Sequence, residues 1–189
     1  MITTDQSSNI MRHIEVKAYL DNYQTVSDRV AALADEPFIE RVQQDTFFHC
    51  RSGRLKLRSS GHVHDLIYYR RRDDYGPTES IYHTVRTTNP VALRSSLNSA
   101  FGEAGCVKKF RRSYRVGNST IHLDRVGGLG DFLEIKTDLC GLSTLQSSLT
   151  PEKGASIVES LMATLNVDLF QLIDGAYIDL INERTGTPV

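Results

Sequence analysis

The chain has 189 residues, 22 basic and 23 acidic, for a formal net charge of −1, with 40% hydrophobic and 24% charged residues. That length and apolar fraction suit one ordinary packed domain and exclude wholesale disorder. The balanced charge excludes a strongly basic nucleic-acid binder in bulk, so any cationic site must be local. Cys50, Cys106 and Cys140 are far apart, odd in number and without a CxxC, which points away from a zinc ribbon or disulfide framework and toward reduced, buried thiols.

The opening MITTDQSSNI lacks a signal peptide's basic-then-apolar order, and no apolar run approaches the ~20 residues of a membrane span. The expectation is a cytoplasmic protein with no membrane partner, a disordered tail over residues 1–11 and a single domain over 12–184. His13 to Tyr19 alternates as a strand. Residues 24–36 carry Val26, Val30, Ala31 and Leu33 at helical spacing, with Ser27 as the expected N-cap and Pro37 ending the helix. Strands are predicted over 40–50, 53–59, 65–72 and 79–87, separated by Gly and Pro turn signals. A helix follows over 90–103, with Pro90 in its first turn and Leu93, Leu97 and Phe101 as a stripe. Strands over 105–116, 119–126 and 131–138 come next, the first two joined at Gly117-Asn118. Thr150-Pro151-Glu152 starts a helix lined by Ile157, Leu161 and Leu165, and a last helix is expected over 168–183.

Several of these strands alternate charge with large apolar residues. In Gly53-Arg54-Leu55-Lys56-Leu57-Arg58 the cations share one face. Glu15 with Lys17, Arg70 after Tyr68-Tyr69, Lys109 with Arg111, Asp124, and Glu134 with Lys136 repeat the pattern. The apolar face needs cover, which helices can supply. The charged face either looks at water from an open sheet or lines a closed barrel; about eight strands suffice to close one around side chains or a small ligand. In a barrel, Lys17, Lys56, Arg58, Arg70, Lys109 and Arg111 would need an anionic partner, because unpaired buried charge costs several kcal/mol per ion. Phosphate oxygens suit arginine forks and lysine point charges, and Glu15, Asp124 and Glu134 suit a hard divalent cation.

The segments Gln43–Phe48, Gly53–Arg58, Leu66–Ser80, Lys108–Tyr114, Ile121–Lys136 and Leu172–Leu180, in this order, resemble the CYTH family of triphosphate tunnel enzymes. That family includes class IV adenylyl cyclases, thiamine triphosphatases and inorganic tripolyphosphatases. The resemblance spans about 13–183 and implies an α+β fold: an eight-stranded antiparallel β tunnel flanked by helices. It implies a triphosphate (ATP, tripolyphosphate or thiamine triphosphate) held by Lys17, Lys56, Arg58, Arg70, Lys109 and Arg111, and Mg2+ or Mn2+ held by Glu15, Asp124 and Glu134. It also allows a homodimer. Two positions depart from the family motifs: His13 and Lys136 stand where acids are usual. That change raises the site's formal charge by about three units, leaves fewer metal ligands, and lets Lys136 contact phosphate directly. These departures leave a non-catalytic binder of polyphosphate or nucleotide as the alternative, and the lack of a His-Phe pair before the first strand weakens the cyclase reading.

Other signals are read as structural. Gly127-Gly128-Leu129-Gly130 is a hairpin turn and not a phosphate loop. His62 and His64 lie in a surface loop. Tyr68, Tyr69 and Tyr177 are packing residues, and Glu79 is open between tunnel and surface. No Ser-His-Asp or Cys-His pair is placed for nucleophilic catalysis.

Overall fold

A computed structural model describes residues 10–140 and 148–186. The expected tail lies outside the described residues over 1–9, while Ile10 and Met11 already belong to the first strand. Eight strands form a closed antiparallel barrel: β1 (Ile10–Tyr19), β2 (Ile39–Phe48), β3 (Arg54–Ser60), β4 (Val63–Arg71), β5 (Thr78–Arg86), β6 (Glu103–Val116), β7 (Ser119–Val126) and β8 (Gly130–Asp138). Their order around the wall is β1-β5-β4-β3-β2-β6-β7-β8, with β8 returning to β1. Between the two readings left open by alternation, the closed one is correct, because β1 is hydrogen-bonded on both edges, to β5 and to β8.

Helices α1 (Tyr23–Leu33), α2 (Pro90–Phe101), α3 (Pro151–Leu165) and α4 (Tyr177–Thr185) flank the barrel. Outward residues of β1, β7 and β8 (Ile14, Val16, Ile121, Leu123, Leu133, Ile135) pack with Val26 and Val30 of α1 and Val158, Met162 and Leu165 of α3. Those strands are therefore buried on both faces. Gly154 lets α3 lie close, since a Cβ there would meet Leu139 Cδ2 at 2.7 Å and Ile14 Cγ1 at 2.8 Å. A second apolar cluster, with Phe47, Tyr69, Val107, Phe132, Tyr177 and Ile178, fills one end of the barrel beneath α4. Gly105, at φ +141°, sits beside the register shift at Phe47/Phe48, and a Cβ there would meet Ile178 Cδ1 at 2.6 Å.

Local expectations differ from the structure in four places. Asn22 caps α1, its Oδ1 accepting from Thr25 N at 3.0 Å, while Ser27 is buried inside the helix against the Tyr114 hydroxyl at 2.8 Å. The stripe on α2 is not core: Phe101 is exposed and Leu93 and Leu97 only half-buried, because the helix lies loosely against β2 and β3. The last helix is shorter than 168–183. A 3₁₀ turn at Leu169–Gln171 precedes a break, and α4 begins where Asp179 accepts from Ala176 N at 2.7 Å. All three cysteines are unpaired, but Cys50 and Cys140 are exposed and not buried. Among the described residues no helix is long and apolar enough to cross a membrane.

Candidate functional site

The barrel encloses a cavity of about 200 Å³. Opposed residues on antiparallel neighbours share a face, so the register fixes which charges look inward. Glu15 lies opposite Lys136 and Lys17 opposite Glu134 across β1 and β8. Glu134 lies opposite His122, and Arg111 opposite Asp124. Asp45 lies opposite Arg58, and Phe47 opposite Lys56. Lys17, Lys56, Arg58, Lys109, Arg111, Glu134 and Lys136 all line the cavity.

Arg70 does not. On β4 Ile67 and Tyr69 line the cavity and Arg71 shares their face, so Arg70 points out; it lines a separate outer cleft of about 720 Å³ with Arg72, Asp74 and Glu79, a cleft that Arg71 also borders. Arg71 takes the inward position: its side chain is 4% exposed, lies 3.3 Å from Glu15 Oε1, and donates to Gly175 O at 2.8 Å. Glu79, on the outer face, is paired with Arg12 at 2.6 Å.

Three further groups face the barrel interior without having been singled out as site residues in the sequence; Asp45 and Tyr82 line the cavity, and His122 lies opposite Glu134. Asp45 accepts from Arg58 Nε at 2.7 Å and lies 3.1 Å from Lys56 Nζ. Tyr82 donates to Glu15 Oε2 at 2.5 Å and accepts from Lys136 Nζ at 2.9 Å. His122 faces in from β7, with Nδ1 2.9 Å from Ser113 Oγ. Two tyrosines read as packing residues also reach the cavity. Tyr69 stacks on Tyr82 with ring centroids 5.2 Å apart, and Tyr177, from the start of α4, donates to Asp124 Oδ2 at 2.9 Å. Tyr68 stays outside against His83. His64 bonds Ser59 at 3.0 Å and His62 is exposed, while residues 127–129 form the β7–β8 turn.

Every inward carboxylate is engaged by cations. Asp124 accepts from Arg111 Nε at 2.6 Å and from Lys109 Nζ at 3.2 Å. Glu134 lies 3.1 Å from Arg111, 3.3 Å from Lys17 and 3.3 Å from Lys136. Burial alone would raise these carboxyls; Lys17, Lys136 and Arg71 overcome it at Glu15, and Arg111 and Lys109 at Asp124, so both stay well below the ordinary range. Glu134 and Asp45 are depressed for the same reason. Burial next to Arg111 pulls Lys109 down to about 8, and burial next to Arg58 lowers Lys56. Burial also pushes the Tyr69 and Tyr177 hydroxyls up, leaving them neutral donors.

Six cations around the cavity (Lys17, Lys56, Arg58, Lys109, Arg111, Lys136), with Arg71 behind Glu15, face four carboxylates (Glu15, Asp45, Asp124, Glu134), a formal excess of three positive charges; the fully buried members balance four against four, and the excess is carried by the half-buried Arg58, Arg71 and Lys136. Arg54, next on the Lys56 face, is neutralised by Asp179 at 2.7 Å and Asp73. His13 lies at the cavity with Nδ1 2.6 Å from Asp138 Oδ1. A half-buried surplus of this kind favours a compact polyanion.

A closed β tunnel with a cationic lumen defines a class of protein, and the comparisons agree. The CYTH domain model matches residues 11–141, and the chain belongs to the CYTH family. No curated protein matches the sequence. Among solved structures, PH1012 from Pyrococcus horikoshii OT3 is similar at 25% identity and TM-score 0.77, covering 89% of this chain and 98% of its own. The fold is shared with a candidate adenylate cyclase from Vibrio parahaemolyticus (16% identity, TM-score 0.68, 90% and 97% covered). It is shared also with HpAC1 from Hippeastrum, a candidate adenylyl cyclase with a dominant triphosphatase activity (15% identity, TM-score 0.62, 95% and 97% covered).

Enzymes of this family in general use a divalent metal, so the three sequence-predicted ligands are a direct test of fit. Glu15, Asp124 and Glu134 do share the lumen. Yet among the described residues no three His, Cys, Asp or Glu side chains gather closely enough to hold an ion. Asp124 is committed to Arg111, Lys109 and Tyr177, and ammonium groups stand between Glu15 and Glu134. As arranged, the carboxylates do not fit a metal.

Proposed function

We propose that the protein binds a linear triphosphate inside the tunnel and cleaves it. The observation that carries this reading is the barrel interior's formal surplus of three positive charges, with Arg58, Arg111 and four lysines around the cavity and Arg71 behind Glu15. Guanidinium forks match pairs of phosphate oxygens, and lysines supply point charge. Phosphoryl transfer asks a protein mainly for positioning and charge neutralisation, which this wall supplies.

Two outcomes share that binding mode. Water attacking the terminal phosphorus breaks its bridging P–O bond and gives orthophosphate and the diphosphate. The ribose 3′-hydroxyl of ATP attacking the α-phosphorus gives the cyclic nucleotide and diphosphate. The cavity volume of about 200 Å³ suits a bare triphosphate better than a whole nucleotide, since pockets for drug-sized ligands measure ~300–1,000 Å³. That favours hydrolysis, with tripolyphosphate or the phosphate chain of a larger ester as substrate. The test is a product assay: the protein with tripolyphosphate, ATP or thiamine triphosphate, with Mg2+, Mn2+ or EDTA, analysed for orthophosphate and cyclic AMP. Orthophosphate release supports hydrolysis; cyclic AMP assigns cyclisation. A non-catalytic binder is the second reading, favoured by the pairing of every inward acid with a cation. It predicts tight tripolyphosphate binding with no product under any of these conditions.

A further inference from the structure

On β1 and β8 the charges alternate in opposite phase: Glu15 then Lys17 on one strand, Lys136 then Glu134 facing them on the other. The register therefore seats each ammonium against a carboxylate across the strands and beside another along its own. Lys17 Nζ is 3.6 Å from Glu15 Oε1 and 3.3 Å from Glu134 Oε2. Lys136 Nζ is 3.4 Å from Glu15 Oε2 and 3.3 Å from Glu134 Oε1. Each carboxylate thus gives one oxygen to each ammonium, and the four groups close a ring. Tyr82 locks it, accepting from Lys136 and donating to Glu15. A divalent ion bridging these carboxylates needs oxygen ligands at ~2.0–2.6 Å and would have to expel both ammonium groups.

We propose that Lys136, together with Lys17, takes the place of a divalent ion between Glu15 and Glu134, so that this chain binds a triphosphate as a metal-free polyanion. This rests on the triphosphate reading above and specifies how that site is charged. Both lysines and Glu134 line the cavity, so the ring presents its positive side to the ligand. A fixed ammonium supplies charge that needs no loading and is indifferent to chelators. It also changes the ligand form selected: free tripolyphosphate over its metal chelate.

The experiment is calorimetric titration of the full chain with tripolyphosphate, once in EDTA and once in excess Mn2+, with protein-bound Mn2+ counted by electron paramagnetic resonance in the absence of ligand. The expected result is binding in EDTA at least as tight as in Mn2+, and no stoichiometric Mn2+ on the protein alone. Lys136→Glu, checked as folded by circular dichroism, is expected to bind Mn2+ and to lose on the order of tenfold to a hundredfold in EDTA affinity, as removal of a charge-assisted contact implies. Binding that appears only with Mn2+ overturns the metal-free site and leaves the triphosphate reading standing. No tripolyphosphate binding in either condition overturns both. A folded Lys136→Glu that gains no Mn2+ counts against the replacement even if the wild-type titration behaves as expected.

Discussion

Lys109 offers a quantitative handle on the lumen. Its ammonium is buried beside Arg111 and Arg58, and Asp124 at 3.2 Å only partly offsets them, so it falls from 10.5 to about 8. In the ligand-free protein about half of it is neutral at pH 8 and roughly nine-tenths at pH 9. A bound polyanion beside it restores the proton. Triphosphate binding should then take up about half a proton at pH 8 through this group, and affinity should fall roughly tenfold per pH unit above 8. Isothermal titration in buffers of different ionisation enthalpy measures the uptake. Lys109→Met removes the group, so the wild-type-minus-variant difference cancels the ligand's own titration. The same shift sets a stability trend. A lysine lowered by folding costs stability that is fully felt below pH 8 and relieved as pH rises toward 10.5. Wild type should gain roughly 3 kcal/mol relative to Lys109→Met across that window, by urea denaturation. Identical proton uptake by the two proteins between pH 8 and 9 would refute the reasoning, because Lys109 would then not feel the ligand.

Other outcomes follow from the same geometry. Arg71→Met should weaken tripolyphosphate binding by tenfold or so, while Arg70→Met should leave it within about twofold, since Arg71 holds the inward Glu15 and Arg70 points away from it; equal losses in a filter-binding assay would contradict the assigned faces. Arg111→Met leaves Asp124 and Glu134 buried with fewer partners and should cost roughly 3–5 kcal/mol by chemical denaturation, with much of it recovered on adding Asp124→Asn. Acid stability should mirror the depressed carboxyls: Glu15, Asp45, Asp124 and Glu134 stabilise the fold above the ordinary carboxyl range, and that contribution is lost as pH falls through it and below. Gly154→Ala should cost about 1–3 kcal/mol in thermal or urea unfolding, because the new methyl meets Leu139 and Ile14.

The inward faces of β3, β6 and β8 were legible because single leucines, phenylalanines and isoleucines separate their charges, which leaves only one phase for each strand. β4 gave no such cue. Tyr68-Tyr69 and then Arg70, Arg71 and Arg72 run as a like pair and a like triplet, and only the pairing of Lys56 with Ile67 across β3 and β4 sets the phase. Asp45 sits in a strand end buried on both sides, where Thr46, Phe47 and Phe48 blur the alternation. Tyr82 likewise follows no charge pattern, and Tyr177 arrives from a helix more than fifty residues beyond Asp124, its partner, which no local periodicity encodes. Closure itself is a long-range fact. It depends on β1 slipping between β5 and β8, and alternation alone is satisfied equally by an open sheet.

The most direct measurement is a crystal structure of the protein soaked with tripolyphosphate in EDTA. The phosphorus chain should lie within the barrel, its oxygens contacting Lys56, Arg58, Arg111 and Lys136. Phosphate density confined to the outer cleft at Arg70 and Arg72, with the lumen empty, would contradict the account.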